Sequence, residues 1–235
     1  MKAFVIYQKE NRASSQAAQV TARSVKRYCE DVEFFGFRAT TPDTITDGLK
    51  EINQPNLEYT YPLDKEVKHH QEGDIKLRLT GYVANSVPVK LACTISHARL
   101  WNMCVQHNEE IMILEHDAVF VKDFKPFDWK GGVLGLNDPR GATRRANILY
   151  EEIKQRSYYK IIDLPWIDVS TTPQGLAGNS AYIIKPEFAA KLLKKLEEVG
   201  AWPNDALMCK QLFPNELKVT YPFFTKVQGI RSHTT

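Results

Sequence analysis

Long hydrophobic runs are missing from this sequence of 235 residues. No stretch approaches the roughly 18 apolar residues of a membrane-spanning helix, and the apolar run at residues 3–7 is too short for the core of a signal peptide. We therefore expect no transmembrane segment and a cytoplasmic location, with peripheral contact at a membrane surface as an alternative.

A surplus of one charge sign is missing as well. The chain carries 31 basic and 28 acidic side chains, which gives a formal net charge of +3. Proteins that bind nucleic acid usually show a larger basic excess, concentrated on one surface. We therefore expect no nucleic-acid partner.

Cysteine is scarce, and a glycine-rich phosphate loop is absent. The chain has four cysteines, with no Cys-x-x-Cys pair and no regular spacing. This favours reduced, buried thiols over one disulfide or a zinc site. The missing Gly-Lys-Ser type of loop counts against nucleoside triphosphate chemistry.

The sequence contains enough hydrophobic residues to form a buried core. With 43% hydrophobic residues, residues 1–235 fit one large domain or one domain with an elaborated edge. The buried apolar run before Glu115 indicates an α/β domain with a mostly parallel central sheet. Strands are predicted at residues 3–7, 32–38, 132–136, 181–184 and 219–224 and from residue 111, and helices through 18–28, 90–108, 186–199 and 207–212. The segments 41–88 and 138–177 show little periodicity and are predicted to be irregular, apart from a helix near 47–52.

The stretch Ile-Met-Ile-Leu-Glu-His-Asp-Ala-Val-Phe at residues 111–120 is the most informative. Four large apolar residues in a row are typical of a strand covered on both faces, and ligands of α/β proteins collect beyond such strand ends. If the strand continues through the acids, Glu115 and Asp117 share one face and His116 takes the other. Two carboxylates suit Mg²⁺ or Mn²⁺ together with substrate phosphates. A surface turn with three solvated polar residues is an equally weighted alternative.

Three further features have both a functional and a purely structural interpretation. Arg12, after the first strand, would reach a diphosphate or be a solvated loop arginine. The cluster Arg140, Arg144 and Arg145 would hold phosphate or an acidic acceptor, or form a solvated basic loop. Asp205 would serve in the site or simply cap the helix that follows it.

Three blocks follow one another along the chain. Residues 92–101 are Ala-Cys-Thr-Ile-Ser-His-Ala-Arg-Leu-Trp, residues 113–119 are Ile-Leu-Glu-His-Asp-Ala-Val, and residues 178–184 are Gly-Asn-Ser-Ala-Tyr-Ile-Ile. They resemble, in this order, the Gly-Cys-Ala-Leu-Ser-His-x-x-Leu-Trp helix, the Ile-Leu-Glu-Asp-Asp-Val metal motif and the Gly-Thr-x-Ala-Tyr-Ile-Ile block of glycosyltransferase family 25, the lipooligosaccharide and collagen galactosyltransferases. Residues 5–7 with Arg12 and residues 203–205 add weaker similarities. Several blocks in the right order are hard to obtain by chance.

The resemblance implies a glycosyltransferase A-type, Rossmann-like fold whose two irregular segments are acceptor-side loops. It implies inverting transfer of a sugar, galactose being usual in the family, from a UDP-sugar to a hydroxyl of a glycan, a lipid-linked glycan or a glycoprotein. Manganese, or magnesium in its place, is the implied cofactor, because a cation between the two phosphates neutralises charge on the UDP leaving group.

Residue roles come from the same resemblance. Glu115 and Asp117 match the outer positions of the family's acidic triplet, which makes them metal and donor ligands, with Asp117 the more direct. Asp205 is the expected general base for the attacking hydroxyl. Arg12 and His97 are expected at the donor, with a structural role as the alternative for His97. In the tail, His233 is expected to be a further metal ligand.

Two positions depart from the family pattern. His116 stands in place of the middle aspartate, and Ala92 in place of a glycine. Losing a negative charge should weaken cation binding, whereas an imidazole turned inward would favour manganese over magnesium. His116 therefore keeps open a catalytically inactive, transferase-like module that binds a glycan or another partner. Nucleotidyl transfer on the same acids is a third hypothesis.

Overall fold

The computed structural model describes residues 1–81, 86–142, 145–156, 161–167 and 171–229. The strands are β1 (Lys2–Tyr7), β2 (Glu33–Arg38), β3 (Val67–Glu72), β4 (Ile75–Thr80), β5 (Ile111–Glu115), β6 (Ala118–Phe120), β7 (Val133–Gly135), β8 (Ile161–Asp163), β9 (Ala181–Ile184), β10 (Leu217–Thr220) and β11 (Thr225–Val227). The helices are α1 (Arg12–Tyr28), α2 (Ile45–Glu51), α3 (Val87–His107), α4 (Ala146–Gln155), α5 (Pro186–Val199) and α6 (Asn204–Leu207), with a 3₁₀ turn at Pro42–Thr44.

A seven-stranded sheet lies at the centre, in the strand order β2-β1-β5-β9-β7-β10-β8. The pairs β2–β1, β1–β5 and β7–β10 are parallel, whereas β9 and β8 run antiparallel to their neighbours. The other five strands therefore point the same way, which confirms an α/β fold with a mostly parallel sheet of mixed topology. The carboxyl ends of β1, β2, β5 and β7 meet at one edge, where the chain also enters β9.

Strand β5 contributes to both faces of the sheet, as its continuous apolar sequence predicts. Ile111 and Ile113 belong to one buried cluster, and Met112 and Leu114 belong to a second cluster on the opposite face. Helix α1 closes the second cluster through Ala18 and Val25, while α3 and α5 pack over the first. Because both faces are covered, β5 is held firmly and its carboxyl end is a rigid place for a site.

Helix α3 leads directly into β5, as predicted. Ser86 is its N-cap and accepts a hydrogen bond from the Val89 amide at 3.3 Å, and Asn108 ends it in the left-handed conformation with φ 50°. The helix buries polar as well as apolar side chains, among them Lys90 and His97. These buried polar groups mark the part of α3 that lies next to the cavities described below.

The two segments predicted to be irregular contain regular structure. Residues 67–80 form the antiparallel hairpin β3–β4, and α2 lies close to the predicted helix at 47–52. The second segment contains α4 and β8. The hairpin was missed because only β4 buries alternate residues, Leu77 and Leu79, while β3 is mostly exposed.

The carboxyl-terminal elements are shorter than predicted. The strand predicted at 219–224 ends at Thr220 in β10, just before the cis peptide bond Tyr221-Pro222, and α6 ends at Leu207. All four cysteines are free, and each is buried or half-buried. Among the described residues, no helix combines the length and apolar character needed to cross a membrane.

Candidate active site

A cavity of about 670 Å³, here called the main cavity, opens at the carboxyl edge of the sheet. Its wall contains Glu115 at the end of β5, residues 137–138 just after β7, and residues 178–180 just before β9. Lys90 and Asp205 complete a lining of mixed charge. Polar groups from several strand ends thus converge where α/β proteins bind their ligands.

The two acids of the central motif follow the end of a strand. Strand β5 stops at Glu115, and the chain turns at His116 and Asp117 before β6 begins. The strand does not continue through the acids, so the predicted alternation of their faces is wrong. The Glu115 amide donates to the Ser180 carbonyl at 2.7 Å, and the Asp117 carbonyl accepts from the Gln228 amide at 2.9 Å. Both acids line the main cavity.

Among the described residues, no basic side chain forms a salt bridge with Asp117. Burial raises the pKa of Asp117 to about 6, and the negative charge of Glu115 adds to the shift. Asp117 Oδ1 is buried and has no hydrogen-bond partner among the described residues. Two adjacent carboxylates, one with an unsatisfied oxygen, fit a divalent cation that would neutralise both.

The described part of the chain supplies few other ligands for a cation. It contains no group of three or more His, Cys, Asp or Glu residues arranged to hold a metal ion. Glu115 and Asp117 would therefore share a cation with water or with phosphate oxygens of a substrate. The third predicted ligand, His233, lies outside the described residues.

His97 contacts Glu115 from inside the protein. Its Nε2 lies 3.3 Å from Glu115 Oε1, and its Nδ1 lies 2.8 Å from the Tyr182 hydroxyl. The Trp101 indole N–H donates to the same hydroxyl at 2.9 Å. Because the imidazole is only 1% exposed, His97 holds Glu115 in place. These contacts fit the structural role that was the alternative for His97, and its contact with a donor stays a prediction.

A smaller cavity of about 160 Å³ lies beside the ends of β1 and β2, with Tyr7 and Thr40 in its wall. It shares Glu115 and Asp117 with the main cavity, so the acids stand at the boundary between two cavities. His116 lines the smaller cavity as well. Arg12 is the exposed first residue of α1, rather than a loop residue, and lines neither cavity.

Asp205 lies in the wall of the main cavity with the other two acids. The N-cap of α6 is Pro203, so Asp205 is not the cap that the alternative interpretation required. Burial raises the pKa of Asp205, and the charge of Glu115 raises it further. Gly175 packs against this segment so closely that an added Cβ would lie 1.8 Å from the Asp205 carbonyl oxygen.

Several cavity residues were not identified as site residues from the sequence. Asn137 donates from Nδ2 to the carbonyls of Asp138 and Gly178, both at 2.9 Å, and so shapes the cavity wall. Asn179 carries a buried Oδ1 that has no partner among the described residues. Position after strand β7 is the signal that would have identified Asn137 and Asp138. Asn179 has a weaker signal, its place just before β9.

Of the predicted arginine cluster, Arg140 lines the main cavity. Its guanidinium is bound to the Asp138 carboxylate, with Nη2 2.6 Å from Oδ2. Arg145 precedes α4 and is absent from the linings of the two cavities. Arg144 lies outside the described residues.

Residues 51–129 match the model of glycosyltransferase family 25, described as LPS biosynthesis proteins. The matched segment contains α3, β5 and both acids of the central motif, while Arg12, residues 178–184 and Asp205 lie outside it. None of the curated proteins compared with the chain matches it.

Two solved structures were matched with most of this chain at low identity. Mouse xyloside xylosyltransferase 1, in its apo form, has 10% sequence identity and a TM-score of 0.43, over 92% of this chain and 84% of that chain. The galactosyltransferase LgtC, in complex with donor and acceptor sugar analogues, has 10% identity and a TM-score of 0.41, over 91% of this chain and 70% of that chain. The part of the chain that is similar to glycosyltransferase family 25 is therefore residues 51–129, which are 79 of the 235 residues.

Proposed function

We propose that this enzyme, with a glycosyltransferase A-type architecture, transfers galactose from UDP-galactose to a hydroxyl of a glycan acceptor, with inversion at the sugar carbon and with a divalent cation. One observation carries the proposal: Glu115, Asp117 and Asp205 line the same cavity at the carboxyl edge of the sheet. Glu115 and Asp117 would bind the cation that accompanies a diphosphate, and Asp205 would lie beside the acceptor.

On the donor side, Glu115 and Asp117 would hold Mn²⁺, or Mg²⁺ in its place. When bound, the cation would neutralise the charge that develops on the UDP leaving group. His97 keeps the Glu115 carboxylate in position, and the smaller cavity beside β1 and β2 is the proposed nucleotide pocket. We also propose that Arg12 contacts the diphosphate and that His233 is a further metal ligand.

On the acceptor side, Asp205 is the proposed general base. The acceptor oxygen forms a bond to the sugar carbon while the bond from that carbon to the phosphate oxygen breaks, and the hydroxyl proton passes to Asp205. The raised pKa of Asp205 suits this role, because burial makes its carboxylate a stronger base. We propose a cytoplasmic enzyme that meets a lipid-linked acceptor at the membrane surface.

The first test measures thermal stability with a panel of nucleotide sugars in the presence of Mn²⁺, Mg²⁺ or chelator. A ligand that binds the folded state raises the melting temperature, so no acceptor is needed. We expect a manganese-dependent increase with UDP-galactose and no increase for Asp117→Asn. If no nucleotide sugar raises the melting temperature, the donor proposal is wrong.

A second candidate is a module that binds a glycan or a protein without catalysis, favoured by His116 in the acidic turn. The His116 carbonyl is held by the Thr21 hydroxyl at 2.7 Å, so the turn is well anchored with this residue present. Turnover that disappears in Asp117→Asn would refute this candidate. Glycan binding with no donor binding, in wild type and in His116→Asp, would support it.

A further inference from the structure

A third cavity, of about 270 Å³, adjoins the main cavity, and we call it the aromatic annex. Its wall includes three aromatic rings, two cations and one acid: Tyr150, Tyr221, Phe223, Arg140, Lys226 and Asp138. Asp138 and Arg140 also line the main cavity, so the two spaces share one wall.

The annex lies close to the catalytic acids. Lys226 in β11 pairs with Val119 in β6, and Val119 is two residues beyond Asp117. The next residue, Val227, lines the main cavity. A glycan chain that enters the main cavity would therefore meet the annex with its neighbouring sugar.

The rings of the annex support one another. Tyr221 packs edge-on against Tyr150 at 6.3 Å and against Phe223 at 5.6 Å between ring centroids. The Arg140 guanidinium lies 4.0 Å from the centroid of Tyr150 and covers that ring. Tyr221 is half-buried and remains as the ring on which a ligand can stack. The C–H face of a pyranose is apolar and suits such a ring.

The annex also has a net positive charge. Arg140 is neutralised by the ion pair with Asp138. Lys226 is exposed and makes no salt bridge to a residue that the structure describes. One uncompensated cation beside a stacking ring selects a sugar that carries a negative group.

We propose that the aromatic annex binds the acceptor sugar next to the one that is glycosylated, with Tyr221 stacked on its ring and Lys226 paired with a phosphate or carboxylate on it. The acceptor is therefore an anionic oligosaccharide of at least two sugars. This inference rests on the proposed function, because it treats the main cavity as the site of the acceptor hydroxyl.

The experiment uses the full chain with Mn²⁺ and UDP on an array of immobilised glycans. The glycans range from one to four sugars and are neutral, phosphorylated or carboxylated. Lys226→Glu reverses the annex charge, and Tyr221→Leu replaces the ring by an apolar side chain. Lys76→Glu on the β3–β4 hairpin, outside the linings of all three cavities, makes the same change in net charge. Melting temperatures confirm that each variant is folded.

We expect wild type to bind anionic oligosaccharides better than single sugars, and Lys226→Glu to weaken that binding about tenfold. Tyr221→Leu should weaken binding of oligosaccharides but not of single sugars, and Lys76→Glu should match wild type. Preference for the phosphorylated or for the carboxylated glycans identifies the anionic group, and either result supports the proposal.

Equal binding of single sugars and oligosaccharides, or equal effects of Lys226→Glu and Lys76→Glu, would overturn it. Absence of glycan binding together with a manganese-dependent response to UDP-galactose would also overturn it, and would leave the proposed function intact. If UDP-galactose gives no response, the proposed function itself is wrong.

Discussion

His97 Nε2 lies 3.3 Å from Glu115 Oε1, and this contact connects the buried core to the candidate active site. The Tyr182 hydroxyl accepts a hydrogen bond from the Trp101 indole, so its own proton is available to His97 Nδ1. A neutral His97 then carries its proton on Nε2 and donates it to Glu115. Residues of α3 and β9 thus orient a carboxylate at the end of β5.

Two substitutions of His97 separate its two contacts. Gln keeps an N–H donor near the position of Nε2, whereas Asn keeps an acceptor near the position of Nδ1. We expect His97→Asn to weaken manganese-dependent UDP binding by about tenfold or more, as is typical for groups that orient metal ligands, and His97→Gln to retain most of it. Titration calorimetry measures both. The reverse order would mean that the contact with Tyr182, rather than the contact with Glu115, is the important one.

The raised pKa of Asp117 predicts an unusual pH dependence of stability. Its pKa is about 6 in the folded protein and 3.8 in the reference state. The stability that the protonated form contributes is present below about pH 4 and is lost as the pH rises through about 6. In metal-free protein at pH 8, Asp117→Asn should therefore be more stable than wild type by about 3 kcal/mol. The difference should disappear near pH 4.

Urea unfolding at both pH values, in the presence of chelator, measures this effect. Saturating Mn²⁺ should reverse the order at pH 8, since the cation binds wild type and not the variant. An Asp117→Asn protein that is less stable than wild type in chelator at pH 8 would contradict the assignment of an uncompensated carboxylate.

Gly175 is predicted to be essential for the position of Asp205. An added Cβ would lie 1.8 Å from the Asp205 carbonyl oxygen, and backbone cannot move away as a side chain can. We expect Gly175→Ala to destabilise the protein by roughly 2 kcal/mol or more and to impair transfer. Gly36→Ala is the matched control, because its Cβ would meet only the Tyr7 side chain, at 3.1 Å. Equal melting temperatures for the two variants would refute the prediction.

Asp205→Asn tests the general base. Removal of a base that acts in the chemical step lowers turnover about 100-fold or more, while binding of the donor is preserved. Rates of sugar transfer to the best glycan from the array, compared with the thermal response to UDP-galactose, separate the two effects. Normal turnover in this variant would assign proton removal to another group.

The sequence allowed the core of this architecture to be predicted. The run Ile-Met-Ile-Leu predicted a strand covered on both faces, and the spacing of apolar residues predicted α3 and α5, because each pattern is local and periodic. The family resemblance of residues 113–119 was confirmed by the match over residues 51–129. The hairpin β3–β4 was missed because β3 is mostly exposed and shows no alternation. Helix α4 was missed although it buries Ala146, Leu149 and Ile153 at helical spacing.

Other features depended on contacts between distant parts of the chain. The strand stops at Glu115, and the Gln228 amide, more than a hundred residues later, binds the turn that follows. Asn137 and Asn179 meet at one cavity only because β7 and β9 are neighbours in the sheet. The annex likewise combines Arg140 before α4 with Lys226 in β11.

By itself, the sequence determined which segments are strands and helices in the core, and which acidic residues stand at their ends. These properties depend on the order of apolar and polar side chains within a few residues. The tertiary structure alone decided that Glu115, Asp117 and Asp205 share one cavity, that His97 supports Glu115, and that an aromatic, basic space adjoins them. Such neighbours are set by strand order and by packing across the sheet, which local periodicity does not encode.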